Sequence, residues 1–548
     1  MKEQSKKRRT NAYNTVEGAE GASSLLESLD IYANSPKGYR VVPALVALST
    51  LLVGIWTFDA KLSLSGDNAE FITLARSLAQ GDGLVYINLP DPQPATKYPF
   101  GFPLLLALPE LLFPGEWIPM KVWVLVLFSL GMGALYLLVR DRIGWLPALA
   151  VVGLSLTAGK SYLTTEVGGN VYGPLLLHYS HQVMSEAPFL AVSMVALWLL
   201  QRGVGRQGVL DNRPLLIGFA CAMIAYYIRS IGITLLGATI VYLLLQRDVR
   251  RGLIFAGASF AAWLPWTLRN SAVGGGVYFK VLFQVNPYYP DQGMLDLYGV
   301  IDRLLNNGSA YLNTELPRLL WPFFSSEGGF GPVSVFVVML AAYTLMQAVR
   351  FRRDLLLVLY TAFTLGVALL WFWIDVRFLF GVVPLLIYFA VRAVNDLAAG
   401  LSAHGGLWTG RALRWGLLVV VTWGQVPGVA RLAEYARSDY PPVWSRYYQA
   451  GQWIKQNTDA DDIVLCRKGY WMHVVSGRRT VGFPFEDPKT IMEHIKREKV
   501  KFVVLESLGY PQTKRYLLPA VQMHVDQFEV MWGDQLVPTH ILKFTGLP

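Results

Sequence analysis

The chain has 548 residues, 53% of them hydrophobic and only 16% charged, with a formal charge of +10. A soluble protein carries roughly a quarter charged residues, and here the apolar ones fall in blocks of membrane-helix length, which excludes an ordinary soluble fold. The basic residues sit in short connections between those blocks, so the positive charge reads as membrane topology and not as a nucleic-acid surface.

The first 40 residues, beginning "MKEQSKKRRTNAYNTVEGAEGASS", are polar and basic. They lack the apolar core and small-residue cleavage site of a signal peptide, and read as a disordered cytoplasmic tail. A first span runs from about Val41 to Thr57, and residues 59–116 follow as a loop. Further apolar blocks lie near 117–139, 144–158, 185–200, 214–229, 231–245, 252–268, 332–348, 355–373, 378–393 and 415–430, making about eleven spans between 41 and 430. With the N-terminus inside, alternate connections carry Arg202, Arg206 and Arg213, then Arg247, Arg250 and Arg251, then Arg350, Arg352 and Arg353, then Arg392 to Arg414. This is the charge pattern that cytoplasmic loops require.

An odd number of spans places the C-terminus outside, together with loop 59–116, a segment over 270–331 containing "VYFKVLFQVNPYYPDQG", and residues 431–548. That last piece alternates helical and strand patterns, with "DIVLC" and "KVKFVVLES" as strands around the helical "PKTIMEHIKRE", and reads as a small extracytoplasmic α/β domain. Cys221 and Cys466 lie in different regions, so no structural disulfide is expected.

In "SGDNAEFITLARSLAQGDG", Phe71, Leu74, Ala75 and Leu78 recur at helical spacing and Gly81 and Gly83 end the pattern. The plain role of Asp67 or Asn68 is to cap this helix; the alternative is a carboxylate delivered to the outer membrane surface. The loop continues through "ATKYPFGFPLLLALPELLFPGEW", whose stretch Pro99 to Phe113 reads as an apolar helix lying along the membrane. In "LLLHYSHQVMSEAPFLAVS", His178, His181 and Glu186 stand at the outer mouth of the fourth span. There Ser185 with Glu186 fits a helix start, the three side chains also fit a metal site, and ionisable groups at a membrane boundary point to function. Arg229, Arg269, Asp375 and Arg377 fall at outer span ends too, and arginine forks suit phosphate oxygens.

These stretches, with "KYPFGFPLLLAL", "MSEAPFLA", "PWTLRN" and "RFLFGVVP", resemble the GT-C class of membrane glycosyltransferases over about Val41 to Arg392. The resemblance is to the branch of protein O-mannosyltransferases and lipid A aminoarabinose transferases. It implies a polyprenyl-phosphate-linked sugar as donor and an aspartate of the first outer loop at the reaction centre, here Asp67. Many members carry two adjacent acids where this chain has Asp67 followed by Asn68, which sets Glu70 apart from the pattern and weakens the case for a directly bound metal.

The chemistry runs parallel to the resemblance. A leaving phosphate needs positive charge, which Arg229, Arg269, Arg377 or Lys97 would supply. An acceptor hydroxyl needs a base, for which Asp67 is the candidate. Glu70, Glu186 and His181 follow as positioning groups, and attack opposite the leaving group inverts the anomeric centre. No cofactor is expected beyond a divalent metal that His178, His181 and Glu186 would hold. The acceptor is a protein, lipid or glycan, with no nucleic-acid partner. The expected location is a bacterial inner (plasma) membrane, with the site facing the periplasm or exterior. A transporter or lipid flippase would gather its charges near mid-membrane on broken, repeated helices, and neither pattern is present. A non-catalytic scaffold for cell-envelope glycan assembly is the other alternative. The enzyme reading requires Asp67 and the arginines, distant in sequence, to meet at one end of the helices.

Overall fold

A computed structural model describes residues 28–546 apart from 65–66, 160, 165–169, 207, 209–210, 276, 288–291, 321–330, 353, 406 and 534–537. Residues 1–27 of the expected tail lie outside the described residues, while 28–34 are helical and Gly38 opens the first long helix.

Each of the eleven apolar blocks is a helix: Gly38–Trp56, Ile118–Ile143, Trp145–Thr157, Glu186–Val204, Arg213–Ile228, Ile233–Leu245, Val249–Ala272, Pro332–Phe351, Leu355–Leu370, Val383–Gly405 and Leu407–Arg437. Among the described residues five helices are long and apolar enough to cross a membrane: Gly38–Trp56, Ile118–Ile143, Glu186–Val204, Pro332–Arg350 and Val383–Ala403. Several others are apolar but have only 13 or 16 residues, about 20–24 Å at the helical rise. That is short of the roughly 30 Å hydrocarbon core, so length alone does not make each a full crossing. On Gly38–Trp56 the residues Leu45, Leu48, Leu52 and Ile55 are exposed, an apolar outer stripe that water would not tolerate. This is an integral membrane protein.

One end of the bundle carries the loop elements. Helix Asn68–Gln80 stops at Gly81, whose φ of 88° lies in the left-handed region that favours glycine. Strand Val85–Tyr86 then pairs antiparallel with Gln93–Pro94, turning the chain back so that Lys97 returns beside the start of the preceding helix. Helix Gly101–Leu112 follows. It buries Phe102 and Leu106 and exposes Leu104, Leu108, Leu111 and Leu112, the two-faced pattern of a helix seated at a membrane surface. A Cβ at Gly101 would stand 2.6 Å from the Tyr227 carbonyl oxygen, so only glycine lets this helix approach the end of Arg213–Ile228, two residues before Arg229.

Residues beyond the last long helix form an α/β unit. Its five strands lie in the spatial order Arg479–Val481, Ile463–Leu465, Phe502–Leu505, His540–Phe544, Phe528–Gly533, the first three parallel and the remaining pairings antiparallel. Helix Gly469–Ser476 of this unit packs on Asn68–Gln80. Arg76 donates to the Val474 carbonyl at 3.3 Å, and the Thr480 N–H donates to the Asn88 carbonyl at 2.6 Å. Lys61 reaches from the first loop to the carbonyls of Tyr435, Ala436 and Ser438 at 3.0, 3.3 and 2.8 Å, closing the exposed carbonyl end of the last long helix.

Candidate active site

Asp67 precedes helix Asn68–Gln80, yet its side chain makes no capping bond. The carboxylate turns instead to Lys97, 3.2 Å away, and to the Tyr98 hydroxyl. Glu70, one turn on and therefore on the same helix face, lies 2.9 Å from the same ammonium and accepts a 2.7 Å bond from the Tyr86 hydroxyl. The Lys97 ammonium sits over the Tyr98 ring, 4.5 Å from its centroid. Thus one lysine is shared by two carboxylates, with the Tyr86 hydroxyl bonded to Glu70 and Tyr98 beside Asp67.

The two acids differ in access. The Glu70 side chain is 5% exposed, against 37% for Asp67 and 44% for Lys97. Burial pushes the Glu70 carboxyl above its usual range despite Lys97 and Tyr86. At Asp67 burial also opposes charge, but Lys97, Tyr98 and the more distant Arg377 together hold the carboxyl below the usual range. For Lys97 burial is outweighed by Glu70 and Asp67, so the ammonium is strengthened. Asp67 is therefore the ionised, reachable acid, and Glu70 the buried support of Lys97.

A second cluster centres on Glu186, the first residue of its helix and wholly buried. Its Oε1 takes Arg229 at 3.0 Å and Arg377 at 2.6 Å, while Oε2 has no hydrogen-bond partner among the described residues. Arg229 also donates to the Ser185 hydroxyl at 3.0 Å, and that serine makes no capping bond. The Arg377 guanidinium lies over the Tyr179 ring at 5.4 Å. Two guanidiniums share this carboxylate, Asp375 lies in the field of Arg377 and Glu186, and Arg377 is the residue whose field reaches Asp67.

Arg269 reaches the same loop as Lys97, but donates to the carbonyls of Ala95 and Leu84 and to the Asn270 side chain. It thereby fixes the loop that presents Lys97. The proposed metal set does not assemble. Glu186 is held by arginines, and His178 Nδ1 bonds the Ser161 hydroxyl at 2.6 Å. His181 is buried against Phe58, with ring centroids 5.7 Å apart. Burial, with Lys121, His178 and Lys61 nearby, keeps His181 neutral. Among the described residues no group of three His, Cys, Asp or Glu side chains is placed to hold a metal ion. His181 stands among Phe58, His178 and Ser180, apart from the Lys97 pair of acids.

Three participants escape a reading of the sequence. Tyr98 and Tyr86 touch Asp67 and Glu70; Tyr98 lies inside "KYP" next to Lys97, which is the one available signal. The third is Tyr470 of the α/β unit, hydrogen-bonded to Tyr86 with ring centroids 5.5 Å apart, 384 positions along the chain from it.

No family model matches the chain, and no curated protein matches it. Solved structures do. ArnT from Cupriavidus metallidurans bound to undecaprenyl phosphate superposes with a TM-score of 0.57 at 16% identity, covering 93% of this chain and 98% of that one. Its apo form gives 0.56 at 15% identity, covering 92% and 98%. The archaeal oligosaccharyltransferase AglB from Archaeoglobus fulgidus, in complex with an inhibitory peptide and a dolichol-phosphate, gives 0.53 at 12% identity, covering 91% and 74%. Both neighbours are GT-C glycosyltransferases. The likeness extends over nearly the whole chain, and the fold of this membrane protein is the GT-C fold.

Proposed function

We propose that the protein is a membrane glycosyltransferase that moves a sugar from a polyprenyl-phosphate donor to a hydroxyl of a protein, lipid or glycan acceptor on the external face of the membrane. The observation that carries this is the Asp67–Lys97–Glu70 cluster set within the field of Arg377, at the loop-bearing end of the helices. Undecaprenyl phosphate and dolichol-phosphate in the structural neighbours are consistent with such a donor.

The acceptor oxygen attacks the anomeric carbon as the bond from that carbon to the phosphate oxygen breaks. The hydroxyl proton passes to Asp67, and the leaving group departs as polyprenyl phosphate, inverting the centre. A carboxylate held ionised and partly exposed suits the base. Its Lys97 partner is partly exposed and the first candidate for the donor phosphate. Once the phosphate draws Lys97 away, Asp67 is released to take the proton, while Glu70, closer to the ammonium, keeps it anchored. Arg377 and Arg229, which share Glu186, add positive charge. Arg269 acts by holding the loop.

The test is single-turnover transfer from a polyprenyl-phosphate sugar by the purified protein in lipid nanodiscs. Wild-type protein should release polyprenyl phosphate and form a new glycosidic bond. Transport of the lipid without bond formation would refute the reading.

A further inference from the structure

Three strands of the C-terminal sheet are parallel, with Ile463–Leu465 between Arg479–Val481 and Phe502–Leu505. The chain leaves the middle strand toward one neighbour and then crosses back to the other, so its winding reverses between Ile463–Leu465 and Phe502–Leu505. In open α/β sheets ligands settle outside the carboxyl ends of strands at such a reversal. The segments there are Cys466 to Lys468, Glu506 to Tyr510, and Gly482 to Phe485 after the neighbouring strand.

They bring cations onto rings. The Arg467 guanidinium lies 5.0 Å from the Tyr510 centroid and 5.4 Å from that of Phe485. The Lys468 ammonium lies 4.9 Å from Tyr510 and 6.0 Å from Trp444. Phe485 is half exposed and stacks on Tyr516 at 5.7 Å. Among the described residues neither cation pairs with a carboxylate, and the Arg467 Nε is buried without a hydrogen-bond partner. The acid in these segments, Glu506, is buried and engaged by the Leu508 N–H and the Thr513 hydroxyl.

We propose that this rim of the sheet binds an anionic saccharide, a sugar ring carrying a phosphate or carboxylate. The half-exposed Phe485 and the rim of the Tyr510 ring offer an apolar border for the C–H face of a pyranose, and the two cations held on these rings take its charged group. A neutral sugar leaves the cations without a counter-charge, and bare phosphate leaves the rings uncovered, so both halves of the surface select the same ligand. The proposal does not rest on the transferase reading.

The test is saturation-transfer NMR on the full chain in phosphatidylcholine nanodiscs, with glucose 6-phosphate, glucuronate, glucose and inorganic phosphate as probes. Glucose 6-phosphate and glucuronate should bind, with transfer to their ring protons, and glucose should bind about tenfold or more weaker. The double variant Arg467→Gln, Lys468→Gln should weaken glucose 6-phosphate by about tenfold or more with an unchanged unfolding midpoint. Tyr510→Ala should remove most of the ring-proton signal. Equal binding by the double variant, by glucose, or by inorganic phosphate alone would overturn the proposal. So would loss of binding in Asp67→Asn, which would put the ligand in the other site. Failure of sugar transfer, with these probes still bound, leaves this inference standing.

Discussion

Two carboxylates of this protein each hold two arginines, at opposite ends of helix Leu355–Leu370, and they do so differently. At the near end Asp354 is fully used: Oδ1 takes Arg142 at 2.5 Å, while Oδ2 takes Arg392 and, at 2.7 Å, the Tyr388 hydroxyl. At the far end Glu186 receives both Arg229 and Arg377 on one oxygen and leaves the other without a partner. The first arrangement ties helices Ile118–Ile143 and Val383–Gly405 to the turn before Leu355, and its geometry asks for nothing more. The second is incomplete and lies within reach of Asp67 and Lys97, two side chains still more than a third exposed. The same grouping serves as a fastening where both oxygens are engaged, and has spare capacity where one is not.

That contrast breaks most sharply at Asp67. Asp67→Asn removes the base without removing a buried charge, and turnover should fall about a thousandfold with an unchanged unfolding midpoint. Single-turnover kinetics with the unfolding curve measured beside them decides it, and near-normal turnover would remove Asp67 from the role. Lys97→Met should come next, lowering turnover about a hundredfold and raising the KM for the donor. It also withdraws the charge that holds Asp67 ionised, so the carboxyl rises and the acid limb of the pH–rate profile moves to higher pH. A profile that scales without shifting would place Lys97 elsewhere in the scheme.

The two arginine-bearing acids can then be set against each other. Breaking a buried pair leaves a guanidinium uncompensated, so Asp354→Asn and Glu186→Gln should each lower stability by about 3 kcal/mol. Only the second should change the KM for the donor; a matching change in Asp354→Asn would erase the distinction drawn above. Smallest is Tyr470→Phe, which deletes the bond to Tyr86 and so loosens Glu70. A lost hydrogen bond of about 1 kcal/mol predicts roughly a fivefold drop in kcat with little change in KM. Unaltered kcat would make the Tyr470 contact purely structural.

Much of this arrangement was legible in advance. Apolar blocks of fixed length announce helices because the bilayer demands them, and all eleven expected blocks are helical. Asp67, Glu186 and the arginines stood out because charge beside hydrocarbon is costly and therefore conspicuous. What stayed hidden was pairing. Nothing local says that Arg229 and Arg377, 148 positions apart, share one carboxylate, or that Asp67 turns to Lys97 when its backbone position suits a cap. The tyrosines were invisible because an aromatic at a loop edge is unremarkable until its hydroxyl has a partner. Two strands of the α/β unit, Ile463–Leu465 and Phe502–Leu505, showed themselves as short apolar runs. Arg479–Val481 did not, since Val481 is its only apolar residue.

The grip of Lys61 on the carbonyls of Tyr435, Ala436 and Ser438 has one more implication. Because a first-loop side chain bolts down the very point where the chain leaves its last long helix, the α/β unit is pinned at its root to the same loop that carries Asp67 and Lys97.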